Sequence, residues 1–209
     1  MTRSAALVDR QQGPLTVSAN VGFIARSTEG TLPDNHFRAY LVIEEAFVLT
    51  AVRVLGLVVA ESESLDDALD HVTSMSNLVG EQREYFAELR EKFPYDGDVE
   101  SLVARSSALS NYALTLARTH GRSAALVGMF AAETLYLAWC RAAMMVDATR
   151  EAALQDWIEM HTRPAFVAQV EALAKEIDAM PKSISDEVLD EWFVGMLDAE
   201  NSFHDAASP

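Results

Sequence analysis

The sequence has one cysteine, few glycines and prolines, and half as many basic as acidic residues. Because Cys140 stands alone, an internal disulfide and a thiolate zinc site are excluded, and a reducing cytoplasm fits best. The 16 basic residues against 32 acidic ones give a net charge of −16. Nucleic-acid binding is disfavoured, since it needs clustered Lys and Arg. The acidity itself is typical of a soluble protein surface.

Long uncharged apolar segments are also missing. The N-terminal residues 1–17 contain no extended apolar core and are not predicted to be a signal peptide. Two longer apolar stretches, 39–60 and 124–146, carry charged side chains near their centres, which disfavours a membrane span. We therefore predict two buried helices of a soluble, cytoplasmic protein without membrane contact.

Helical periodicity organises the chain, and there is no long strand alternation, internal repeat or low-complexity segment. Helices are predicted at about 35–60, 65–92, 98–120, 122–147, 151–178 (interrupted near 162–164) and 186–206. Residues 1–30 are expected to be partly irregular or short helical, and residues 31–209 to form the helical domain, with one domain in total. Long apolar-striped helices with short connections predict an all-α bundle of about seven helices.

Three of the predicted helices carry a glutamate inside an apolar run. Glu133 is the extreme case, because burying a lone carboxylate costs several kcal/mol or keeps it protonated. Each acid has aromatic residues at one-turn spacing: Tyr40 and Phe47 around Glu44, Tyr136 after Glu133, and Phe193 and Phe203 around Glu200. Converging faces would form an aromatic-walled cavity suited to a flat, nitrogen-rich ring. An ordinary apolar core with solvent-facing glutamates is the alternative.

A di-iron site is the sharpest rival among functional sites. Bundles with such sites carry Glu-x-x-His on each of two helices. The matching positions here read Glu133-Thr-Leu-Tyr and Glu200-Asn-Ser-Phe, without histidine. His161 and His204 remain as conceivable ligands but lack the spacing. We therefore predict no metal site and no cofactor.

Several segments, in order along the chain, resemble the thiaminase II, or TenA, family. The segment GTLPDNHFRAYLVIEEAFVL, residues 30–49, resembles that family's opening pattern G-T-L-P, F-x-x-Y-L, Q-D. Looser matches follow at Asn111-Tyr112, at Trp157-Ile158 with Phe166 and Val170, and at Glu200-Asn201-Ser202-Phe203. The resemblance covers nearly the whole chain and implies a heme-oxygenase-like all-α fold and a homotetramer.

One position divides that family into two classes, with either cysteine or glutamate on the central helix. The segment AAETLY, residues 131–136, resembles the A-x-E-x-x-Y pattern of the glutamate class. Members of that class are linked to salvage of thiamin breakdown products. The resemblance therefore implies a hydrolase that converts 4-amino-5-aminomethyl-2-methylpyrimidine, or its formylated form, to the hydroxymethyl product.

Carried over by position, the resemblance implies two catalytic residues, Glu200 and Glu133. It implies six substrate-binding residues: Glu44, Phe47, Tyr112, Tyr136, His161 and Phe203. The expected partner is a small pyrimidine, with no nucleic acid and no membrane.

The sequence also departs from the family pattern. Ile43-Glu44 replaces Gln-Asp, Glu45 could face the pocket instead of Glu44, and His204 stands where tryptophan is common. Cys140 is predicted to be a packing residue, although it lies two turns after Glu133 and could reach the same cavity. These departures leave three alternatives open: a relative recruited to another small-molecule pathway, a non-catalytic binder of pyrimidines or aromatic amines, and a di-iron oxidase of the same fold.

Overall fold

This computed structural model describes residues 1–208. These residues form ten helices joined by short connections and contain no strand. They are α1 (Arg3–Arg10), α2 (Gln12–Ser18), α3 (Gly22–Glu29), α4 (Asp34–Ala60), α5 (Leu65–Lys92), α6 (Val99–Arg105), α7 (Ser107–Met144), α8 (Ala152–Met160), α9 (Pro164–Ala179) and α10 (Asp186–Ala207). The prediction of an all-α protein is confirmed.

The boundaries of the long helices follow local capping chemistry. The Ser64 hydroxyl accepts a hydrogen bond from the Asp67 N–H at 3.1 Å, which starts α5. Gly30 closes α3 with a φ of 70°. The structure has more helices than the predicted seven because residues 3–29 form three short ones. In addition, the predicted helix 98–120 is divided at Ser106, and the stretch 151–178 is divided at residues 161–163.

Gly121 reverses the chain inside α7. Its φ of 75° and ψ of −164° are not helical, and only glycine adopts such a conformation without strain. The Leu116 Cδ2 atom lies 3.1 Å from the position that a Cβ would occupy at Gly128, whereas a straight helix would separate these residues by about 18 Å. Residues 107–120 therefore fold back on residues 122–144, and the break lies between the predicted helices 98–120 and 122–147.

The length and composition of α7 satisfy the criteria for a membrane span. However, 61% of its most apolar window is buried inside the protein, and Gly121 interrupts the helix. These features are those of a buried core helix, as the sequence predicted for residues 124–146.

Helices α4, α7 and α10 form the centre of the bundle. Helix α10 packs along α7, and α4 packs against both α7 and α5. Tyr40, Trp139 and Phe193, one from each central helix, are almost fully buried. Helix α5 packs mainly on α4 and buries only His71, Phe86 and Leu89. This arrangement leaves space between α5 and the central helices.

Candidate active site

A cavity of about 570 Å³ lies between α4, α5, α7, α9 and α10. Glu44 of α4, Glu133 of α7 and Glu200 of α10 all line it. The structure thus brings together the three acidic faces that the sequence singled out. Glu200 is almost fully buried at 2% exposure, whereas Glu44 and Glu133 are partly accessible from the cavity.

Glu44 is held by two buried tyrosines. The Tyr40 hydroxyl donates to its Oε1 atom, and the Tyr136 hydroxyl donates to the same oxygen at 2.8 Å. The two hydroxyl oxygens are 2.7 Å apart. Burial raises the pKa of Glu44, and the two hydroxyl donors oppose that rise. Both tyrosines therefore favour the charged carboxylate in a site that would otherwise suppress it.

The neighbouring Glu45 takes no part in the cavity. Its carboxylate forms an ion pair with Arg90 of α5 instead. The choice that the sequence left open is therefore settled geometrically, because Glu44 faces the cavity and Glu45 faces α5.

Glu200 has a carboxyl oxygen without a hydrogen bond. Its Oε2 atom is buried and unpartnered. Nδ1 of His204 lies 3.9 Å from this oxygen, but that nitrogen is 2.7 Å from the Glu200 carbonyl oxygen and donates to it. Burial lowers the pKa of His204 to about 4, so the ring is neutral at pH 7 and forms no ion pair. Burial, followed by the charges of Glu44 and Glu133, raises the pKa of Glu200 well above its usual range.

Glu133 is fixed by an amide from α9. The Gln169 Nε2 group donates to its Oε1 atom at 3.1 Å. Burial, and then the nearby charge of Glu44, raises the pKa of Glu133 to about 7. A carboxyl group with this pKa can exchange a proton near neutral pH, as a general acid or base must.

His161 lines the same cavity as a neutral ring. Its Nδ1 atom lies 2.7 Å from the Trp157 carbonyl oxygen, so Nδ1 carries the hydrogen and Nε2 is left as an acceptor. Burial lowers the pKa of His161 to about 4. The ring also packs 5.2 Å from Tyr136 and 4.8 Å from Phe166, measured between centroids.

Two predicted binding residues lie outside the cavity wall. Phe203 is buried behind Phe47, at 6.0 Å between ring centroids, and supports the wall that Phe47 forms. The Tyr112 hydroxyl points to the Trp192 carbonyl oxygen at 3.5 Å. Cys140 is fully buried away from the cavity, and burial raises the pKa of its thiol well above the usual value. A packing role for this cysteine agrees with that position.

Sequence reasoning missed Gln169, and it named Tyr40 only as an aromatic neighbour of Glu44. The spacing of one turn placed Tyr40 beside Glu44 but did not predict that its hydroxyl donates to the carboxylate. Gln169 is a surface-type residue on a helix far along the chain, and no local pattern marks it.

The cavity is acidic and has almost no compensating positive charge. Of the described residues that line it, Arg163 alone carries a permanent positive charge, and Arg163 is exposed. Because Glu44, Glu133 and Glu200 share the cavity, with the exposed Glu81 as a fourth acid in its lining, a cationic or hydrogen-bond-donating ligand would relieve their mutual repulsion. The arrangement therefore suits a nitrogen base.

Comparison with known proteins identifies relatives over the whole chain. A model of the TENA/THI-4/PQQC family matches residues 22–208. None of the curated proteins matches the chain.

Three similar solved structures cover nearly all of the chain. A TenA homologue from P. horikoshii OT3 has a TM-score of 0.87 at 16% identity, over 99% of this chain and 98% of that one. A TenA homologue from Pyrococcus furiosus has a TM-score of 0.80 at 19% identity, over 98% and 99%. A putative TenA-like thiaminase from Sulfolobus solfataricus P2 has a TM-score of 0.72 at 20% identity, over 97% and 94%. The predicted heme-oxygenase-like all-α fold is confirmed.

Proposed function

Because this chain belongs to the TENA/THI-4/PQQC family, we propose that it is a thiamin-related hydrolase acting on an aminopyrimidine in the cytoplasm. The proposed reaction converts 4-amino-5-aminomethyl-2-methylpyrimidine, or its formylated form, to the hydroxymethyl product. The observation that carries the proposal is the buried, unpartnered Glu200 carboxyl in one cavity with Glu44 and Glu133.

The ring binds against the aromatic wall at the acidic end of the cavity. Phe47 and Tyr136 offer apolar and aromatic surface to its faces. Glu44, oriented by its two tyrosine donors, accepts hydrogen bonds from the exocyclic 4-amino group. His161 supplies a further neutral acceptor for an N–H of the ligand. Hydrogen-bond acceptors therefore predominate at the acidic end of the cavity, which matches a ligand rich in N–H donors.

Glu200 acts as the general acid and then as the base. Its raised pKa favours the protonated form, which can deliver a proton to the leaving amine as the bond between the methylene carbon and nitrogen breaks. Water then forms the new carbon–oxygen bond and returns a proton to Glu200. The products are the hydroxymethylpyrimidine and ammonia, or formamide in place of ammonia when the formylated form is the substrate. Glu133, fixed by Gln169, orients the departing amine or the attacking water.

Non-catalytic binding of an aromatic amine is a second candidate. It is favoured by Ile43, which is fully buried at the position where the resemblance has a polar glutamine. Oligomeric state is a separate proposal. A homotetramer would show a mass about four times the 22.9 kDa of the chain in light scattering.

Ammonia release from the aminopyrimidine tests the proposed function. Removing a general acid or base costs roughly 10²- to 10⁴-fold in rate, so we expect a loss of that size in kcat for Glu200→Gln. The matched control is Glu191→Gln on the same helix, because Glu191 is exposed and lies outside the cavity. Full turnover by Glu200→Gln would remove the proposed acid, whereas tight binding without turnover by the wild-type protein would favour the second candidate.

A further inference from the structure

The cavity is much longer than a single ring. Its lining on α4 runs from Glu44 to Leu55, and its lining on α7 includes Ala125 through Tyr136. At 1.5 Å per residue, each of these spans is about 16 Å along the helix axis. Cavities of roughly 300–1,000 Å³ hold drug-sized ligands, and the volume of about 570 Å³ lies in that range. One pyrimidine bound beside the acids leaves much of this length unfilled.

The two ends of the cavity differ in chemistry. Glu44 and Tyr136 are hydrogen-bonded to one another, so both helices present their polar residues at the same end. The opposite part, which we call the apolar arm, is lined by Ala51, Val54, Leu55, Leu109, Ala113, Leu116 and Ala125. Helix α5 adds Leu78, and its polar residues Ser74, Asn77, Glu81 and Gln82 also line the cavity, so the apolar walls of the arm are those of α4 and α7.

Small residues create the space in the apolar arm. Ala51, Ala113 and Ala125 line it where larger apolar residues would fill it. Gly128 also lines the cavity but serves close packing instead, because a Cβ there would lie 2.6 Å from the Met196 Cε atom. The α4 and α7 walls of the arm offer no side-chain hydrogen-bond partner, so they favour an apolar group over ordered water.

We propose that the apolar arm binds an alkyl or acyl substituent of the substrate, so that the preferred substrate is an amphipathic amine. The flat, nitrogen-rich head occupies the acidic end, and an apolar chain on the aminomethyl nitrogen extends along α4 towards Leu55. This inference rests on the proposed function for the position of the head. It extends that function from the formyl group to longer apolar substituents on the same nitrogen.

A series of ligands with increasing chain length tests the inference. The probes are N-acyl derivatives of 4-amino-5-aminomethyl-2-methylpyrimidine, from formyl through butanoyl to hexanoyl, and calorimetry of the wild-type protein gives the Kd of each. Burial of one methylene contributes about 0.8 kcal/mol, so we expect Kd to fall about fourfold per added methylene until the arm is filled. A Kd that is flat or rises with chain length would overturn the proposal.

Two variants of α4 separate the arm from general effects on the helix. Ala51→Leu places a larger side chain in the arm, and we expect the dependence of Kd on chain length to be lost. Ala46→Leu is the matched control, since Ala46 is exposed on the same helix and does not line the cavity; the dependence should persist there. Persistence of the full dependence in Ala51→Leu would contradict the assignment. If Ala51→Leu does not fold, the wild-type series still decides the question.

The outcomes also separate this inference from the proposed function. Ammonia release from the unsubstituted aminopyrimidine without any gain from longer chains would leave the function standing and overturn the arm. Binding of the hexanoyl compound without turnover of any member of the series would support the arm and contradict the hydrolase. Absence of binding for every compound would overturn both.

Discussion

Replacement of Glu133 by Gln should make the protein more stable at alkaline pH. The substitution keeps the size of the side chain and the oxygen that accepts from Gln169, but it removes the ionisable group. Burial and the charge of Glu44 raise the pKa of Glu133 from 4.5 to about 7. The folded state therefore disfavours the charged form of this residue.

The sign of the effect follows from the two pKa values. Below pH 4.5 the folded and unfolded states both hold the proton, and the carboxyl group has no stability cost. Between pH 4.5 and about 7 the unfolded state releases the proton first, so stability falls as the pH rises, and the loss is complete above about pH 7. A pKa change of this size corresponds to about 3 kcal/mol. Because solvent in the cavity screens the charge of Glu133, we expect this residue to lower the free energy of unfolding at alkaline pH by about 1–3 kcal/mol.

Urea unfolding of both proteins from pH 4.5 to 8 checks this prediction. The free energy of unfolding of Glu133→Gln should exceed that of the wild type by about 1–3 kcal/mol at pH 8, and the difference should shrink towards zero at pH 4.5. Glu84→Gln is the control, because Glu84 is exposed on α5 and outside the cavity. Equal stability at pH 8, or a difference that grows as the pH falls, would refute the reasoning.

Three further predictions follow from single residues. Gly121→Ala should lower the free energy of unfolding by about 1–3 kcal/mol, because φ is 75° and the new Cβ would lie 2.8 Å from the Glu61 carboxylate. The control is Gly56→Ala in open space on α4, which should raise the free energy of unfolding by about 0.5–1 kcal/mol. Urea unfolding compares the two variants. Cys140→Ala should keep kcat in the ammonia assay, since the buried thiol does not line the cavity; a loss beyond tenfold would indicate a chemical role. Tyr40→Phe removes a donor that lowers the pKa of Glu44, so the pH above which the aminopyrimidine binds should move upwards in a series of Kd measurements; an unchanged profile would contradict the role of Tyr40.

The sequence predicted the helices where local chemistry decides their ends. Ser64 caps α5 directly before the predicted helix start at residue 65, and Gly121 turns the chain between the predicted helices 98–120 and 122–147. Residues 3–29 were harder to predict because their three helices are short and depend on packing against later elements. Arg3 and Arg10, for example, pair with Asp186 and Asp190 near the start of α10.

Site residues could be predicted where the sequence pattern of a single helix marks them, but contacts between helices could not. Glu44, Glu133 and Glu200 were each visible as an acid within an apolar run, and all three line the cavity. The contact between Gln169 and Glu133 joins α9 to α7 and depends on tertiary geometry. The orientation of Tyr112 towards the Trp192 carbonyl likewise depends on how α7 folds back over α10.

A crystal structure of Glu200→Gln with the bound aminopyrimidine tests the central claim, because this variant should retain the substrate without consuming it. The account predicts the ring against Phe47 and Tyr136, with its 4-amino group within hydrogen-bond distance of Glu44 and its aminomethyl carbon beside residue 200. Density for the ligand at another surface, or a ring turned so that Glu44 makes no contact with it, would contradict the account.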